Sequence, residues 1–567
     1  MAEQPKQWGI TNIINANQPT PEELKLNDEL LEYLKRERNF ETAEGILNHF
    51  QKVSEEFIRR AGKAKGLAQS VIDNSGGKIF TFGSYALGVY GPGSDIDTLI
   101  CAPKHVNAGD FFRLFPPTLR EMSADGDIEE LNPVPDAFVP IIKLEFRKVS
   151  IDLIFVSMPT MSSIPKDLKL SDKNILRGLD DSGMRSVNGT RVTEELLGSV
   201  PQVKTFRYAT RALKLWANRR GVYGAVYGFP GGVAWAIMVA RICQLYPFAC
   251  GATIVSKFFH LLMNWCWPTP VLLKHIEEGT MGLKVWNPQI YHGDRAHLMP
   301  IITPAFPSMC STHTITHSTK KTLMQEFKRA DQIVKSILAG QKTWEDLFAK
   351  HTFFTKDHKY YLSVIAASRT KESHSTWSGW VTSRVRLLAK GIDESDAGVE
   401  CARPFVKSFE RTHRCKTEDD IERVVQGNMT FQVKDKEATV PNEDGDSSDG
   451  DHIIYTTTFY IGITLHEGGG RQLDISYPVS EFKRTIMAHA SYDENIHSIR
   501  IVHTRNFDLP DDVFDPGEVR PTKPKKLKAQ TTKTQKTAAT TAKRSFAETG
   551  LDVGKPYVKD YSSSPRC

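Results

Sequence analysis

Three aspartates in the first third of the chain have the type and spacing of a metal-binding set. In a strand over residues 95–102, Asp95 and Asp97 would project from the same face, roughly 7 Å apart along the backbone. Carboxylates this close repel each other, and a divalent cation removes that cost. Asp152 interrupts the apolar run 150–156, where a carboxylate needs a partner. Three carboxylates from neighbouring strands can hold two Mg²⁺ ions about 3.5–4 Å apart for nucleotidyl transfer.

A Gly-Ser pair stands upstream of these aspartates and suits a phosphate group. A glycine before a helix start lets backbone amides approach phosphate oxygens, and the hydroxyl of Ser84 after Gly83 adds a donor. Taken alone, Asp-Ile-Asp is more often a solvated strand end and Gly-Ser a turn. Their combination with Asp152 favours a metal and phosphate site.

A polar stripe on a predicted helix is a second candidate for phosphate binding. Arg207, Arg211, Lys214 and Asn218 recur at helical spacing beside the apolar face of the same helix. A cationic stripe that faces a cleft can hold a triphosphate. Most such stripes are solvated helix faces, so spacing alone leaves both interpretations open.

The elements that must position these residues form a multidomain α+β pattern. Helical periodicity over 22–60 leads into a β-rich stretch from Lys78, which predicts a mixed sheet. Residues 204–348 read as helical, with a buried helix at 233–245. A small α+β domain should follow, with strands at 360–366, 452–465, 473–477 and 497–503 and helices at 380–389 and 480–489.

Charge is unevenly distributed along the 567 residues. The net charge is +6, but residues 520–544 contain nine basic and no acidic residues, so the rest of the chain is close to −3. The tail after Pro516 is poor in large apolar residues and should be disordered, and its clusters at 523–528 and 543–544 suit nuclear import or RNA contact. The acidic segment 441–451 should be an exposed loop.

Composition also excludes several classes of protein. The longest apolar run, 233–240, is too short to span a bilayer, and the N-terminus lacks the pattern of a secretory signal. Eight scattered cysteines without a CxxC pair argue against a zinc knuckle or a disulfide framework. A reducing compartment fits this cysteine usage.

These motifs resemble those of a known family. Gly83-Ser84, Asp95-Ile-Asp97 and Asp152 are similar to the signature of DNA-polymerase-β-like nucleotidyltransferases. Further motifs make the chain resemble the eukaryotic, fungal-type nuclear poly(A) polymerases over roughly residues 8–515. They are 91–98, 135–142, 170–174, 188–193, 214–217, 228–235 and 304–310.

The resemblance implies a domain order and a set of site residues. It implies an N-terminal segment at 1–18 that packs on the central domain, a nucleotidyltransferase palm at 19–201, a helical central domain at 202–350, an RRM-like RNA-binding domain at 351–515 and a disordered basic tail at 516–567. Asp95, Asp97 and Asp152 would ligate the metals and perform catalysis. The ATP site would comprise Phe82, Gly83, Ser84, Asp95, Ile96, Asp97, Phe138, Val139, Asp152, Asn188, Lys214, Tyr223, Gly232 and Val233.

The resemblance further implies the activity and its partners. The protein would add AMP from ATP to an RNA 3′-hydroxyl without a template, with two Mg²⁺ ions or with Mn²⁺ as a substitute. It would be a nuclear monomer that works with the cleavage and polyadenylation complex and reaches the nucleus through an import receptor, with no membrane contact. In the RNA-binding domain, Arg384, Arg386, Lys390, Lys356, Lys359, Tyr360 and Tyr361 would contribute phosphate contacts.

Two residues depart from the family pattern near the nucleotide. Ala86 replaces a usual basic residue, and Ala225 replaces a usual asparagine two residues after Tyr223. Both changes remove a side chain that could bind the nucleotide, so we expect weaker nucleotide affinity or selectivity with the chemistry retained.

Two alternatives compete with this interpretation. One is a terminal nucleotidyltransferase of another specificity, such as a uridylyl-adding or CCA-adding enzyme. The other is a catalytically weak or silent RNA-binding scaffold, against which the intact carboxylates argue.

Overall fold

The computed structural model describes residues 6–36, 44–91, 93–137, 139–277, 282–433, 451–467 and 473–523. The described residues up to Pro521 form one compact unit. Within the described ranges, no helix is long and apolar enough to cross a membrane.

The N-terminal sheet region contains a five-stranded mixed sheet and the helices around it, preceded by α1 (Pro21–Arg36), which packs on the central helices instead. The strands lie in the order β1-β2-β5-β4-β3, and only β2 and β5 pair in parallel. The predicted mixed sheet is therefore confirmed. Its elements are α2 (Glu44–Ala64), α3 (Gln69–Asp73), β1 (Lys78–Thr81), α4 (Gly83–Leu87), β2 (Ile96–Pro103), α5 (Ala108–Met122), β3 (Ile128–Val134), β4 (Ile141–Phe146), β5 (Val149–Met158) and α6 (Asp181–Gly198).

Alternation along β2 and β5 divides the apolar residues between two cores. Ile96, Ile100 and Ile151 pack against α2 and α5 on one face of the sheet. Leu99 and Ile154 belong to a second core on the opposite face, the face of α6. Because side chains alternate between faces, the even-numbered isoleucines of β2 cannot lie on the same side as Asp97.

The central helical region has the large apolar core predicted from its periodicity. Phe206, Ala209, Leu213 and Trp216 form the buried stripe of α7, and α8 is buried almost all round. Leu30 of α1 lies in the same core. The helices are α7 (Val203–Arg219), α8 (Gly232–Leu245), α9 (Gly251–Met263), α10 (His292–Arg295), α11 (His317–Leu338) and α12 (Trp344–Leu347).

The start of the chain packs on the end of α8. The Ile14 N–H donates to the Leu245 carbonyl at 2.9 Å, and the Arg241 guanidinium donates to the Thr11 hydroxyl at 2.5 Å. These bonds satisfy polar groups that α8 would otherwise bury without partners.

The C-terminal sheet region is a second α+β unit. Its strands follow the order β10-β6-β9-β7, and β8 also pairs with β9. Helices α13, α14 and α16 pack on one face of the sheet. The elements are β6 (Tyr360–Ser368), α13 (Lys371–Thr382), α14 (Val385–Asp393), β7 (Val399–Pro404), β8 (Phe409–Cys415), α15 (Glu418–Val425), β9 (His452–Leu465), α16 (Ser476–Met487) and β10 (His497–Arg505).

Two predicted elements of this region are wrong. Residues 473–475 form no strand, and α16 already begins at Ser476, where Pro478 is tolerated in the first turn. The predicted helix over 380–389 is two helices, because the backbone leaves helical geometry at Arg384, whose guanidinium packs over the Trp380 ring.

Two predicted segments lie partly or wholly outside the described residues. Only Asp451 of the acidic segment is described, and 524–567 of the basic tail are not. Arg520, inside the segment predicted to be disordered, donates to Asp511 at 2.6 Å. A side-chain contact therefore holds Arg520 in place, although the disordered tail was predicted to begin at residue 516.

Candidate active site

The parallel pairing of β2 and β5 brings two of the predicted carboxylates together. Asp97 and Asp152 lie directly opposite each other in the register, and Asp95 immediately precedes β2. Burial, together with repulsion from Asp152 and Asp95, raises the pKa of Asp97 to about 7. Because the ordinary pKa of an aspartate is 3.8, Asp97 lowers the stability of the fold progressively as pH rises from about 4 to about 7, and by the full amount above pH 7.

Asp152 has a cationic neighbour on the adjacent strand. Lys143 of β4 pairs with it in the sheet register, and Lys143 Nζ lies 3.5 Å from a carboxylate oxygen of Asp152. Burial raises the pKa of Asp152, while Lys143 opposes that rise. Asp152 is thus a partly buried carboxylate whose charge is only partly compensated by the protein.

Asp95, Asp97 and Asp152 have the donor chemistry for a divalent cation, but their side chains are not gathered into a ligand set in this structure. Across the described ranges, no three His, Cys, Asp or Glu side chains are close enough to form a ready-made ligand set. The repulsion felt by Asp97 acts over longer distances than direct ligation, so the two observations agree. An all-carboxylate donor set suits hard cations such as Mg²⁺ and Mn²⁺, which would remove this repulsion.

A pocket of about 480 Å³ opens beside Asp95 and Asp97. It is lined from both the N-terminal sheet region and the central helical region, and it gathers most of the predicted nucleotide-binding residues. These are Phe82, Gly83, Ser84, Asp95, Asp97, Asn188, Lys214, Tyr223, Gly232 and Val233.

Three predicted residues that the structure describes do not line this pocket, and a fourth cannot be placed. Ile96 points to the opposite face of the sheet and is 4% exposed. Asp152 lies one strand further along, and Val139 packs against the core that contains Leu99 and Ile154. Phe138 lies outside the described residues. Side chains alternate along the strand, and Asp95 and Asp97 face the pocket. Ile96 between them must therefore face away from the pocket.

The loop after β1 is held close to Asp97. The Phe82 N–H donates to the Asp97 carbonyl oxygen at 3.0 Å, which extends the pairing of β1 with β2. Gly83 has a φ of 63°, and a Cβ there would overlap the Asp97 carboxylate. Only glycine meets both conditions without strain.

Helix α7 contacts the end of α4 and the residues just after it through two members of the predicted polar stripe. Lys214 Nζ donates to the Val89 carbonyl at 3.2 Å, and Arg207 Nε donates to the Leu87 carbonyl at 2.9 Å. Burial lowers the pKa of Lys214 to about 8, partly opposed by Asp97. Arg211 instead lies near the Tyr208 ring. The stripe is therefore not a solvated face at Arg207 and Lys214.

Tyr223 and Asn188 present polar groups to the pocket. Burial raises the pKa of the Tyr223 phenol, and its oxygen lies so close to Gly232 that a Cβ there would be 2.8 Å away. Asn188 Oδ1 is buried and has no hydrogen-bond partner among the described residues. An unpaired buried acceptor at a pocket wall is suited to a ligand donor.

Several lining residues escaped the sequence analysis. They are Leu87, Val89, Gly93, Ser94, Gly189, Val192, Thr193, Leu196 and Thr303. Most lie within or beside motifs that the analysis singled out: Gly189 and Thr193 belong to 188–193, and Thr303 precedes 304–310. Their apolar or small side chains carry no chemical signal of their own.

The predicted RNA-contact residues are only partly accessible. Tyr361 is fully buried, and its hydroxyl donates to the Phe353 carbonyl at 2.6 Å, so the prediction for Tyr361 is wrong. Tyr360 is 38% exposed and packs against His503. Lys390 lies 3.7 Å from Glu394 and keeps an exposed side chain.

Comparisons with known proteins match most of the chain. Three family models fit in succession: a poly(A) polymerase nucleotidyltransferase domain at 9–200, a poly(A) polymerase central domain at 205–350 and a poly(A) polymerase predicted RNA binding domain at 352–523.

Curated relatives agree with these models. Poly(A) polymerase PAPalpha of Candida albicans is 46% identical over 530 residues, covering 91% of this chain and 94% of that protein. Poly(A) polymerase pla1 of Schizosaccharomyces pombe is 43% identical over 548 residues, covering 92% and 96%. A solved structure of Cid1, described as having RNA terminal uridylyl transferase activity, covers 58% of this chain and 99% of its own, at 12% identity and a TM-score of 0.38.

Proposed function

Because this chain belongs to the poly(A) polymerase family and transfers adenylyl groups to RNA, we propose that ATP binds in the pocket beside Asp97. The single observation that carries this assignment is the Asp97–Asp152 pair on adjacent strands, next to a 480 Å³ pocket that also contains Lys214. Carboxylates for metals and a cation for phosphates then meet at one place.

Some residues of the pocket would bind the triphosphate of ATP, and others would bind its nucleoside. Lys214 and the Ser84 hydroxyl would hold the triphosphate, since an ammonium and a hydroxyl both donate to phosphate oxygens. Tyr223, Asn188, Gly232 and Val233 would surround the nucleoside, and the unpaired Asn188 oxygen would accept from one of its donors. ATP selection without a template must come from such contacts.

Asp152 would serve the RNA side of the reaction. It lies outside the pocket but directly opposite Asp97, so a 3′-hydroxyl that approaches the α-phosphate can pass its proton to Asp152. The hydroxyl oxygen forms a bond to the α-phosphorus as pyrophosphate leaves. When bound, two Mg²⁺ ions held by Asp95, Asp97 and Asp152 would lower the pKa of the hydroxyl and neutralise the leaving group.

A primer-extension assay tests the proposed function. The protein is incubated with an oligo(A) primer, Mg²⁺ and each of the four nucleoside triphosphates separately. We expect extension with ATP at a kcat/KM at least about tenfold above that for the others, which corresponds to about 1.4 kcal/mol of discrimination. Preferential use of UTP or CTP would overturn the assignment, and so would no extension with any nucleotide.

At Ala225 the chain departs from the family pattern, and restoring the usual asparagine should strengthen ATP binding. Ala225 lies beside Gly231, where an added Cβ would be 3.6 Å from the Ala225 Cβ, and Gly232 next to it lines the pocket. An Ala225→Asn variant adds a hydrogen-bonding amide at this wall, so we expect the KM for ATP to fall about two- to tenfold. An unchanged KM for ATP would remove this position from nucleotide binding.

The cellular setting follows from the same family. We propose that the protein is nuclear, that a cleavage and polyadenylation complex supplies its RNA, and that the basic residues 523–544 recruit an import receptor. Nuclear accumulation of a fluorescent fusion that persists without residues 523–544 would contradict the import role.

A further inference from the structure

We propose that Gly189 and Thr193, one turn apart on α6, position the Phe82–Ser84 loop, which leads into the first turn of α4, for nucleotide binding. Both residues line the pocket, yet neither has a role in the reaction described above. The inference rests on the proposed function, because it takes the pocket to be the ATP site. It concerns positioning: neither residue needs to touch the reacting atoms.

Thr193 bonds the loop and its own helix at the same time. The Gly83 N–H donates to Thr193 Oγ1 at 3.2 Å, and Thr193 Oγ1 donates to the Gly189 carbonyl at 2.9 Å. The hydroxyl hydrogen is therefore used within the helix, and the oxygen faces the loop as an acceptor. Thr193 is 6% exposed, so both bonds are shielded from water. The side chain thus fixes Gly83 instead of donating to a ligand.

Gly189 provides the surface on which the loop rests. A Cβ at Gly189 would lie 2.5 Å from Cδ2 of the Phe82 ring, closer than any real contact. The ring packs directly on the helix backbone for this reason. Any larger residue at this position must push Phe82 away from α6 and towards the pocket, which the ring also lines.

The opposite side of the loop is fixed by the strand that carries Asp97. The Phe82 N–H donates to the Asp97 carbonyl, and Gly83 packs against the Asp97 carboxylate. The loop is therefore held between β2 and α6, and the helix sets how far Ser84 lies from the carboxylates. A displaced loop moves the Ser84 hydroxyl away from the phosphate oxygens it would donate to, so the expected effect is weaker ATP binding.

A matched pair of substitutions tests this role. Thr193→Val keeps the shape but removes the hydroxyl, and Thr193→Ser keeps the hydroxyl. For Thr193→Val we expect the KM for ATP to rise about five- to tenfold, with kcat and the primer Kd within about twofold of wild type. Thr193→Ser should stay within about twofold of wild type in all three.

A second variant keeps the test decisive if Thr193→Val folds poorly. Gly189→Ala raises the helix propensity of α6, so a higher KM for ATP in a variant that melts at the wild-type temperature reports the displaced Phe82 ring. Because both residues act on one loop, the double variant should raise the KM by less than the product of the single effects.

The outcomes separate the inference from the proposed function. Wild-type kinetics in Thr193→Val and Gly189→Ala would overturn the positioning role while ATP use stands. An equal rise in the KM for ATP in Thr193→Val and Thr193→Ser would also overturn the positioning role, since loss of the hydroxyl would then not be the cause of that rise. A wild-type protein that fails to extend the primer with ATP contradicts the proposed function itself.

Discussion

An Asp97→Asn variant should lose poly(A) extension by at least about 10³-fold and yet melt at a higher temperature than wild type at pH 8 without divalent cations. The loss follows because a metal ligand contributes several kcal/mol to transition-state stabilisation. The gain follows because Asp97, with a pKa of about 7, is ionised at pH 8, where burial disfavours its charge and Asp152 and Asp95 repel it. Primer extension and a thermal melt measure the two effects.

The pH dependence of the melt gives an internal control. At pH 5 the Asp97 carboxyl is protonated, so the difference in melting temperature between Asp97→Asn and wild type should shrink. Asp73→Ala, an exposed carboxylate on α3, should leave extension unchanged. RNA binding by both variants, measured by fluorescence anisotropy, should match wild type. Extension by Asp97→Asn at wild-type rate would exclude the proposed metal site.

A Lys214→Met variant should raise the KM for ATP about 10- to 100-fold. Its ammonium lies at the pocket wall, 3.2 Å from the Val89 carbonyl, and a charge-assisted bond to phosphate is worth about 1.5–3 kcal/mol. Methionine keeps the length and apolar contacts of the side chain but removes the charge. Steady-state kinetics at saturating primer measure the change.

The pH profile distinguishes a charge effect from a packing effect. Burial lowers the pKa of Lys214 to about 8, so the free wild-type enzyme loses this positive charge as pH rises through 8, and its KM for ATP should increase. Lys214→Arg remains protonated over this range and should show no such increase. A wild-type KM that is flat from pH 7 to 9 would show that Lys214 does not bind ATP through its charge.

Periodicity predicted those elements whose buried faces are apolar. The stripe of α7 and the long strand β9 are examples, since hydrophobic side chains recur at the spacing of the element. Strand β8 was missed because its buried face holds Arg411 and His413. These pair with Thr458 and Thr456 on β9, so their burial depends on a distant strand and leaves no local apolar pattern.

The candidate site likewise contains residues that the sequence could identify and residues that it could not. Asp95, Asp97 and Asp152 stand out in the sequence because carboxylates in apolar strands need a partner. The role of Arg207 could not be decided from spacing, since a stripe of cations on a helix looks the same whether it faces solvent or a loop. Its bond to the Leu87 carbonyl joins residues 120 positions apart.

By itself, the sequence determined the chemical groups of this protein: three carboxylates, a Gly-Ser loop, a lysine and the family motifs around them. The tertiary structure alone decided how these groups meet. It paired Asp97 with Asp152 across parallel strands, turned Ile96 away from the pocket and packed Phe82 on the bare backbone of Gly189. The physical reason is that residue types are local, whereas burial, register and close approach arise between segments far apart in the chain.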